Sequence, residues 1–397
     1  MRRDRFSILL AVLGLALGVG FAFAYTPPPT FRDQLNLQPV ANCKNCHIDI
    51  SAQWEKSAHS KADRTQNLLF GRMYFYSLRQ TRGATMVACG PCHETASFVN
   101  QDFENVRQVS SEGVACVFCH SVDGPGAAGV PPLSLELGPY TGTIRNPVSN
   151  NTHTSKHAPY LGTSEFCGSC HKYSNQHGVE ISDTYGEWKR SKYAKQGVTC
   201  QTCHMPGAPG RNSSEGPVRP RVADHSFDPE VLAAARPNAV TMRVTGERRG
   251  DSLRVFTTVT NAGWGHSLPT GNDQNIALIR VRVKSAAGEI LWENDPFSEW
   301  HVAVFGILLA DEFGNAPAET WSARKLVSNR RLKVGESARV RFDVPLAAEG
   351  GTAPKGALRV EAQFLMRRAR PETVSLYGLS EDYDVERVLA EGRLSIP

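Results

Sequence analysis

The second half of the chain alternates. Val240–Gly246, Leu253–Thr260, Ile276–Val283, Thr320–Val327, Ala338–Val344 and Leu358–Leu365 place apolar and polar side chains in turn, with turn residues between the runs. That period of two predicts half-buried strands. Ala287-Gly288-Glu289 predicts a hairpin turn. Six or more strands in about 130 residues predict an antiparallel β-sandwich of immunoglobulin-like type. The first half lacks this alternation. Gln53–Thr65 and Thr184–Gln196 read as helices, whereas Gly124–Pro132 and Gly138–Asn151, rich in Gly, Pro and Asn, read as surface loops. Pro206–Pro220, rich in Gly, Pro, Ser and Arg, reads as a linker or an extended wrap. The pattern predicts an α+β multidomain chain. Residues 25–237 form a mainly helical and loop unit, and residues 238–397 form the sandwich.

The N-terminus has its own pattern. Arg2, Arg3 and Arg5 precede an uncharged apolar run from Phe6 to Ala24 that ends in Ala22-Phe23-Ala24. A basic flank, an apolar stretch and a small-x-small end predict a secretory signal over residues 1–24. The run is also long enough to serve as an uncleaved membrane anchor. Either way the rest of the chain is exported, to the periplasm or outer surface. No Cys follows the run, so a lipid anchor is not indicated. A formal charge of +5 is too modest to predict nucleic-acid binding.

Ten cysteines in an exported chain would ordinarily predict disulfides. Their spacing predicts something else. All ten fall in Cys-x-x-Cys-His motifs: Cys43/Cys46/His47, Cys89/Cys92/His93, Cys116/Cys119/His120, Cys167/Cys170/His171 and Cys200/Cys203/His204. Two thiols at this spacing can add across the two vinyl groups of one haem, and the adjacent His is carried under the iron as its proximal ligand. A tetrahedral zinc site would pair two such motifs, and five is odd. Redox dithiols would not need the His each time. The motifs therefore predict five covalent c-type haems between Cys43 and His204. That is little polypeptide per haem, so the porphyrins must supply much of the buried apolar surface and lie close enough for electrons to pass.

Twelve histidines are present, and five are proximal. Of the remaining seven, His59, His153, His157, His225 and His266 are the candidates for the other face of each iron, with His177 and His301 weaker. His59 follows Trp54 on an expected helix. His225 lies just after the linker, where a wrap could return to the haem region. His266 lies in Asn261-Ala262-Gly263-Trp264-Gly265-His266-Ser267-Leu268-Pro269-Thr270-Gly271, a Gly-rich loop able to approach another surface closely. A weak internal repeat links Gln53-Trp54-Glu55-Lys56-Ser57-Ala58-His59 to Glu187-Trp188-Lys189-Arg190-Ser191-Lys192-Tyr193, and Gly-Val-x-Cys precedes both Cys116 and Cys200.

These residues carry a resemblance. Trp54-x-x-Ser57-x-His59, Gly113-Val114-x-Cys116, Ser164-Glu165-Phe166-Cys167 and Gly197-Val198-Thr199-Cys200 through His204-Met205-Pro206 are similar to the cytochrome c-554/c-prime family of multihaem cytochromes. Longer members are similar in carrying a C-terminal β-domain with a loop like that from Gly263 to Gly271. The resemblance implies periplasmic or surface electron transfer with mostly bis-His haems, and ligand roles for His59 and His266. It also implies a ligand upstream of Cys167, where His153 and His157 compete. Tyr193 stands where the first repeat has His59, which leaves one distal ligand unassigned.

Electron transfer is therefore the expected function, with redox partner proteins as the expected partners and no nucleic acid. The alternative is a haem oxidoreductase acting on a small nitrogen or sulfur compound at one open iron, with no catalytic residue identified. A third reading docks the chain through its β-domain in a membrane-associated electron-transfer complex.

Overall fold

The computed structural model describes residues 37–397, except 123, 125, 133–134, 136–137, 149, 229, 233–235, 299, 348–351, 381–382 and 384–385. The apolar run of residues 6–24 and residue 125 of the expected loop Gly124–Pro132 lie outside the described residues. Among those described, no helix is long and apolar enough to cross a membrane.

The alternating runs form two packed sheets. Strands β1 (Val240–Arg249), β2 (Ser252–Asn261), β3 (Ile276–Lys284), β4 (Ile290–Glu293), β5 (Val304–Phe305), β6 (Ser337–Pro345), β7 (Leu358–Arg367) and β8 (Arg387–Ile396) follow in chain order. One sheet has the order β6-β2-β1, and the other β4-β3-β7-β8 with β5 pairing β3; every pairing is antiparallel. β1 and β2 run in register from Val240↔Asn261 to Arg249↔Ser252. The tight turn between them uses Gly250 at φ +60°. The expected turn at Ala287–Glu289 closes with Gly288 at φ +91° and the Ser285 N–H donating to the Glu289 carbonyl at 2.8 Å.

Period-two burial builds the core. Leu253, Val255 and Val259 of β2 and Val340, Phe342 and Val344 of β6 face Ile279, Val281 and Val283 of β3 and Val360, Ala362 and Phe364 of β7, all in one buried cluster. The start of β3 is buried on both faces, because Ile276 and Leu278 pack against Val304 and Leu365 on the far side. This continuous apolar run is what a central strand requires.

Several expected boundaries move, each for a local reason. The expected strand Thr320–Val327 is Lys325–Asn329, and it pairs with Ile307–Ala310 outside the sandwich sheets. Its first residues turn instead, with the Thr320 and Ala323 carbonyls accepting from Asn175 Nδ2 at 2.9 Å each. The expected helix Gln53–Thr65 runs Ile48–Lys56. It stops at Ser57, whose Oγ accepts from Ser60 N–H at 3.2 Å. The expected helix Thr184–Gln196 breaks into Thr184–Lys189 and Lys192–Lys195, because Ser191 caps the second piece through the Tyr193 and Ala194 N–H groups. Within the expected loop Gly138–Asn151, Tyr140–Gly142 pairs in parallel with Ser155–His157. The expected linker at Pro206–Pro220 is a wrap: Gly207–Gly210 pairs with Arg219–Ala223, and Ser214 N–H donates to the Cys46 carbonyl at 2.8 Å.

Candidate haem-binding site

Each attachment motif takes the same local form. Cys116–Ser121 and Cys200–His204 are single helical turns, and Val40–Lys44, Ala84–His93 and Ser164–Gly168 carry or lead into the other three. A turn of helix places the residues of Cys-x-x-Cys on adjoining positions and turns the following His in the same direction. None of the ten cysteines is in a disulfide.

The motifs enclose a void. One cavity of about 2590 Å³ is lined by every motif cysteine, by His47, His93, His120, His171 and His204, and by His59, His153, His225 and His266. Ordinary small-molecule pockets hold roughly 300–1,000 Å³. A void of this size, walled by thiols and imidazoles, fits large apolar groups carrying a metal.

The histidines face each other across it. Ring centroids are 6.3 Å apart for His47–His153, 6.1 Å for His59–His171, 6.4 Å for His120–His225 and 6.2 Å for His204–His266. An imidazole nitrogen binds a first-row metal at roughly 2 Å, and with each ring's own half-width two imidazoles on opposite sides of one metal put their centres about 6 Å apart. Three pairs have ring planes within 19° to 29° of each other, whereas His59 and His171 are turned by 75°.

Backbone carbonyls orient the rings. Nδ1 of His120 faces the Thr141 carbonyl at 2.6 Å, Nδ1 of His225 faces that of Ala223 at 2.9 Å, and Nδ1 of His266 faces that of Ser267 at 2.9 Å. His47 Nδ1 meets the Asn212 carbonyl of the wrap. A proton held on Nδ1 leaves the Nε2 lone pair for a metal.

His93 is different. No second imidazole lies at that spacing from it among the described residues. The Phe70 ring instead stacks beside it, 4.3 Å between centroids and 16° between planes. Phe70 sits on the helix Leu68–Gln80, which Asn67 caps by accepting the Phe70 N–H at 2.9 Å. The next residue after His93 pins the motif in place: buried Glu94 pairs with the Arg64 guanidinium and accepts the Arg64 N–H at 3.1 Å. No sequence motif marks Phe70; only its place on the cavity wall does.

The remaining candidates are not brought to the cavity. His157 lies in the ladder opposite Gly142; among the described residues its buried Nδ1 has no hydrogen-bond partner and it faces no motif histidine. His177 is engaged by Arg324 and Gln176, and the His301 carbonyl accepts from Arg330.

The motifs adjoin in a definite order. The thiols of Cys43 and Cys116 lie side by side, as do Cys92 with Cys170 and Cys167 with Cys200. Cys119 is within electrostatic reach of Cys167 and Cys170. The first motif thus neighbours the third, the third neighbours the fourth, and the second and fifth both adjoin the fourth.

Burial favours the neutral form of His59, His93, His120, His171, His204, His225 and His266. It lowers His59 to about 3, helped by the nearby His171, His204 and His93, and lowers His204 and His225 to about 4. Neutral imidazole is the form that ligates. In the unfolded chain these groups titrate near ~6.5. Their folded pKa values are depressed, so their contribution to stability is full above that value and is lost as pH falls toward 4 and then 3. Coordination acts in the same direction, since a metal takes the lone pair the proton would use. The guanidinium midpoint of unfolding is expected to be level from pH 8 to pH 7 and to drop between pH 6.5 and pH 4. A midpoint that rises on acidification would contradict this assignment.

Residues 42–121 match the family described as cytochrome c554 and c-prime. Among solved structures, the fold is similar to a penta-haem cytochrome c552 from Thermochromatium tepidum, at 22% identity and a TM-score of 0.73, over 91% of this chain and 99% of that one. A β-glucosidase 3B from Thermotoga neapolitana matches over 40% of this chain at 15% identity with a TM-score of 0.16, too low to carry an argument. No curated protein sequence matches.

Proposed function

We propose that the chain, similar to the cytochrome c554 and c-prime family, is an exported multihaem c-type cytochrome that transfers electrons through five covalent haems, four of them closed by histidine pairs. The observation that carries this reading is the set of four imidazole pairs 6.1 to 6.4 Å apart across one cavity walled by all ten motif thiols. Haem c, when bound, supplies a one-electron couple whose potential follows axial ligation, hydrogen bonding and burial. The chain's own residues fix those variables. Cysteines attach the groups, histidines close the iron faces, and carbonyls at Nδ1 set ring orientation. Residues 25–237 hold the attachment motifs, and the β-sandwich of residues 238–397 contributes His266.

The order of motifs supports a branched path. The fourth, Cys167–His171, is the junction between the first and third on one side and the second and fifth on the other. Redox proteins at two of these ends would supply and remove electrons. The leader of residues 1–24 is consistent with export to the periplasm or outer surface.

One observation favours a second activity at one site. His93 has Phe70 beside it and, among the described residues, no facing imidazole, so its iron is the place where a small nitrogen or sulfur compound could coordinate. Haem staining, the alkaline pyridine spectrum and the intact mass of the purified protein test the main reading. Five haems per chain are expected, surviving denaturation; fewer than five would overturn it.

A further inference from the structure

The weak internal repeat is a repeated structural device. In the first copy, Trp54 Nε1 donates to the Val114 carbonyl at 3.0 Å, and Val114 N–H donates to the His59 carbonyl at 3.0 Å. In the second, Trp188 Nε1 donates to the Val198 carbonyl at 2.9 Å, and Val198 N–H donates to the Tyr193 carbonyl at 3.0 Å. The glycines before the two valines both take left-handed backbone, at φ +60° for Gly113 and +72° for Gly197. At Gly113 a Cβ would lie 2.3 Å from the His59 carbonyl oxygen, so the turn excludes other residues. His59 and Tyr193 are therefore equivalent positions, and so are Gln53 and Glu187, which precede the two tryptophans.

That last equivalence has a chemical content. Gln53 Oε1 accepts the backbone N–H of His225 at 3.0 Å. Glu187 Oε2 accepts the backbone N–H of Ser267 at 3.1 Å and the Thr270 hydroxyl at 2.6 Å. His225 faces His120, which belongs to the Cys116 motif of the first copy. His266, beside Ser267, faces His204, which belongs to the Cys200 motif of the second. In both copies the residue before the tryptophan holds the segment that brings a histidine over that copy's own motif.

We propose that Gln53 and Glu187 are positioning residues that fix His225 and His266 over the irons of the third and fifth haems. The role needs an acceptor oxygen, not a charge, because one copy uses an amide and the other a carboxylate. Glu187 has an additional contact: Arg331 lies 3.5 Å from it and also donates to the Gly271 and Asn272 carbonyls at 2.8 and 3.1 Å. Tyr193 adds a second hold on the same loop, its hydroxyl donating to the Gly263 carbonyl at 2.9 Å. Where the first copy has a histidine, the second has a latch.

This inference rests on the five-haem reading. The test uses the full-length, haem-loaded protein with Glu187→Leu, Glu187→Gln, Gln53→Leu and Gln53→Glu, after equal haem content has been checked. Each leucine variant is expected to lose one of the four low-spin signals in part or whole, and to bind one more carbon monoxide per chain when reduced. Glu187→Gln and Gln53→Glu keep an acceptor oxygen and should retain the wild-type spectrum. Leucine variants with four unaltered low-spin haems and no added carbon monoxide binding would overturn the proposal. So would a Glu187→Gln protein that behaves like Glu187→Leu, because the ion pair with Arg331 would then be the cause. Should Glu187→Leu fail to accumulate, Gln53→Leu decides the matter, since Gln53 carries no charge. A wild-type protein lacking the four low-spin haems would instead mark failure of the five-haem reading.

Discussion

Replacing His59 by alanine should open the iron of the fourth haem. The His59 ring stands 6.1 Å from that of His171, and the edge of Phe227 packs against it at 4.4 Å, so its position is held from outside the pair. The substitution removes one axial ligand and leaves a space of side-chain size in a cavity wall. The ferric iron is expected to become high spin, and the reduced protein should bind one more carbon monoxide per chain than the wild type. The pair also differs in geometry. Its planes cross at 75°, while the others lie within 29°, so the most anisotropic of the low-spin signals should be the one that disappears. Added imidazole should refill the space and restore it. Because the fourth motif is the junction, electron exchange between the remaining haems should slow as well. An unchanged spectrum in His59→Ala would exclude His59 as the ligand.

The second large effect concerns the haem at His93. Substituting Cys89 and Cys92 together by alanine removes both attachment points of that haem. The expected protein carries four haems, keeps all four low-spin signals and has lost carbon monoxide binding in the reduced state. The motif is tied into the fold by other means: the Arg64–Glu94 ion pair is buried, and Phe70 belongs to a capped helix of 13 residues. Breaking a buried pair would cost about 3–5 kcal/mol, whereas the cysteine substitutions leave it intact. Retained carbon monoxide binding in the four-haem protein would show that the open iron lies elsewhere.

How much of this was legible in the sequence depends on what each segment packs against. In the sandwich, apolar side chains meet apolar side chains from the opposite sheet, and the period of two in Leu253–Thr260 or Leu358–Leu365 declares itself. The last strand, Arg387–Ile396, has mostly exposed or half-buried residues, so its edge position left little pattern to read. In the first half the apolar side chains line a cavity. Phe70, Met73 and Tyr74 face that space, and the helix Leu68–Gln80 carries exposed Leu68, Phe75 and Tyr76 on its other side. No clean helical stripe results, and this helix of 13 residues was not anticipated.

The motifs themselves are local, so the sequence alone suffices to find them. Facing histidines are a matter of tertiary contact. His153 and His157 compete in the sequence for one ligand position upstream of Cys167. Pairing of Ser155–His157 with Tyr140–Gly142 separates them, setting His153 opposite His47 and His157 away from the cavity. Gln53 and Glu187 stand in the repeat as it is written, but only the contacts to His225 and Ser267 show what the position does.

The most direct test of the account is the electron paramagnetic resonance spectrum of the oxidised wild-type protein, combined with carbon monoxide titration of the reduced form. Four low-spin haems, one high-spin haem and one carbon monoxide bound per chain are the predicted result. Five low-spin haems with no carbon monoxide bound would show that the iron at His93 is closed, and more than one bound would show that the histidine pairs do not hold their irons.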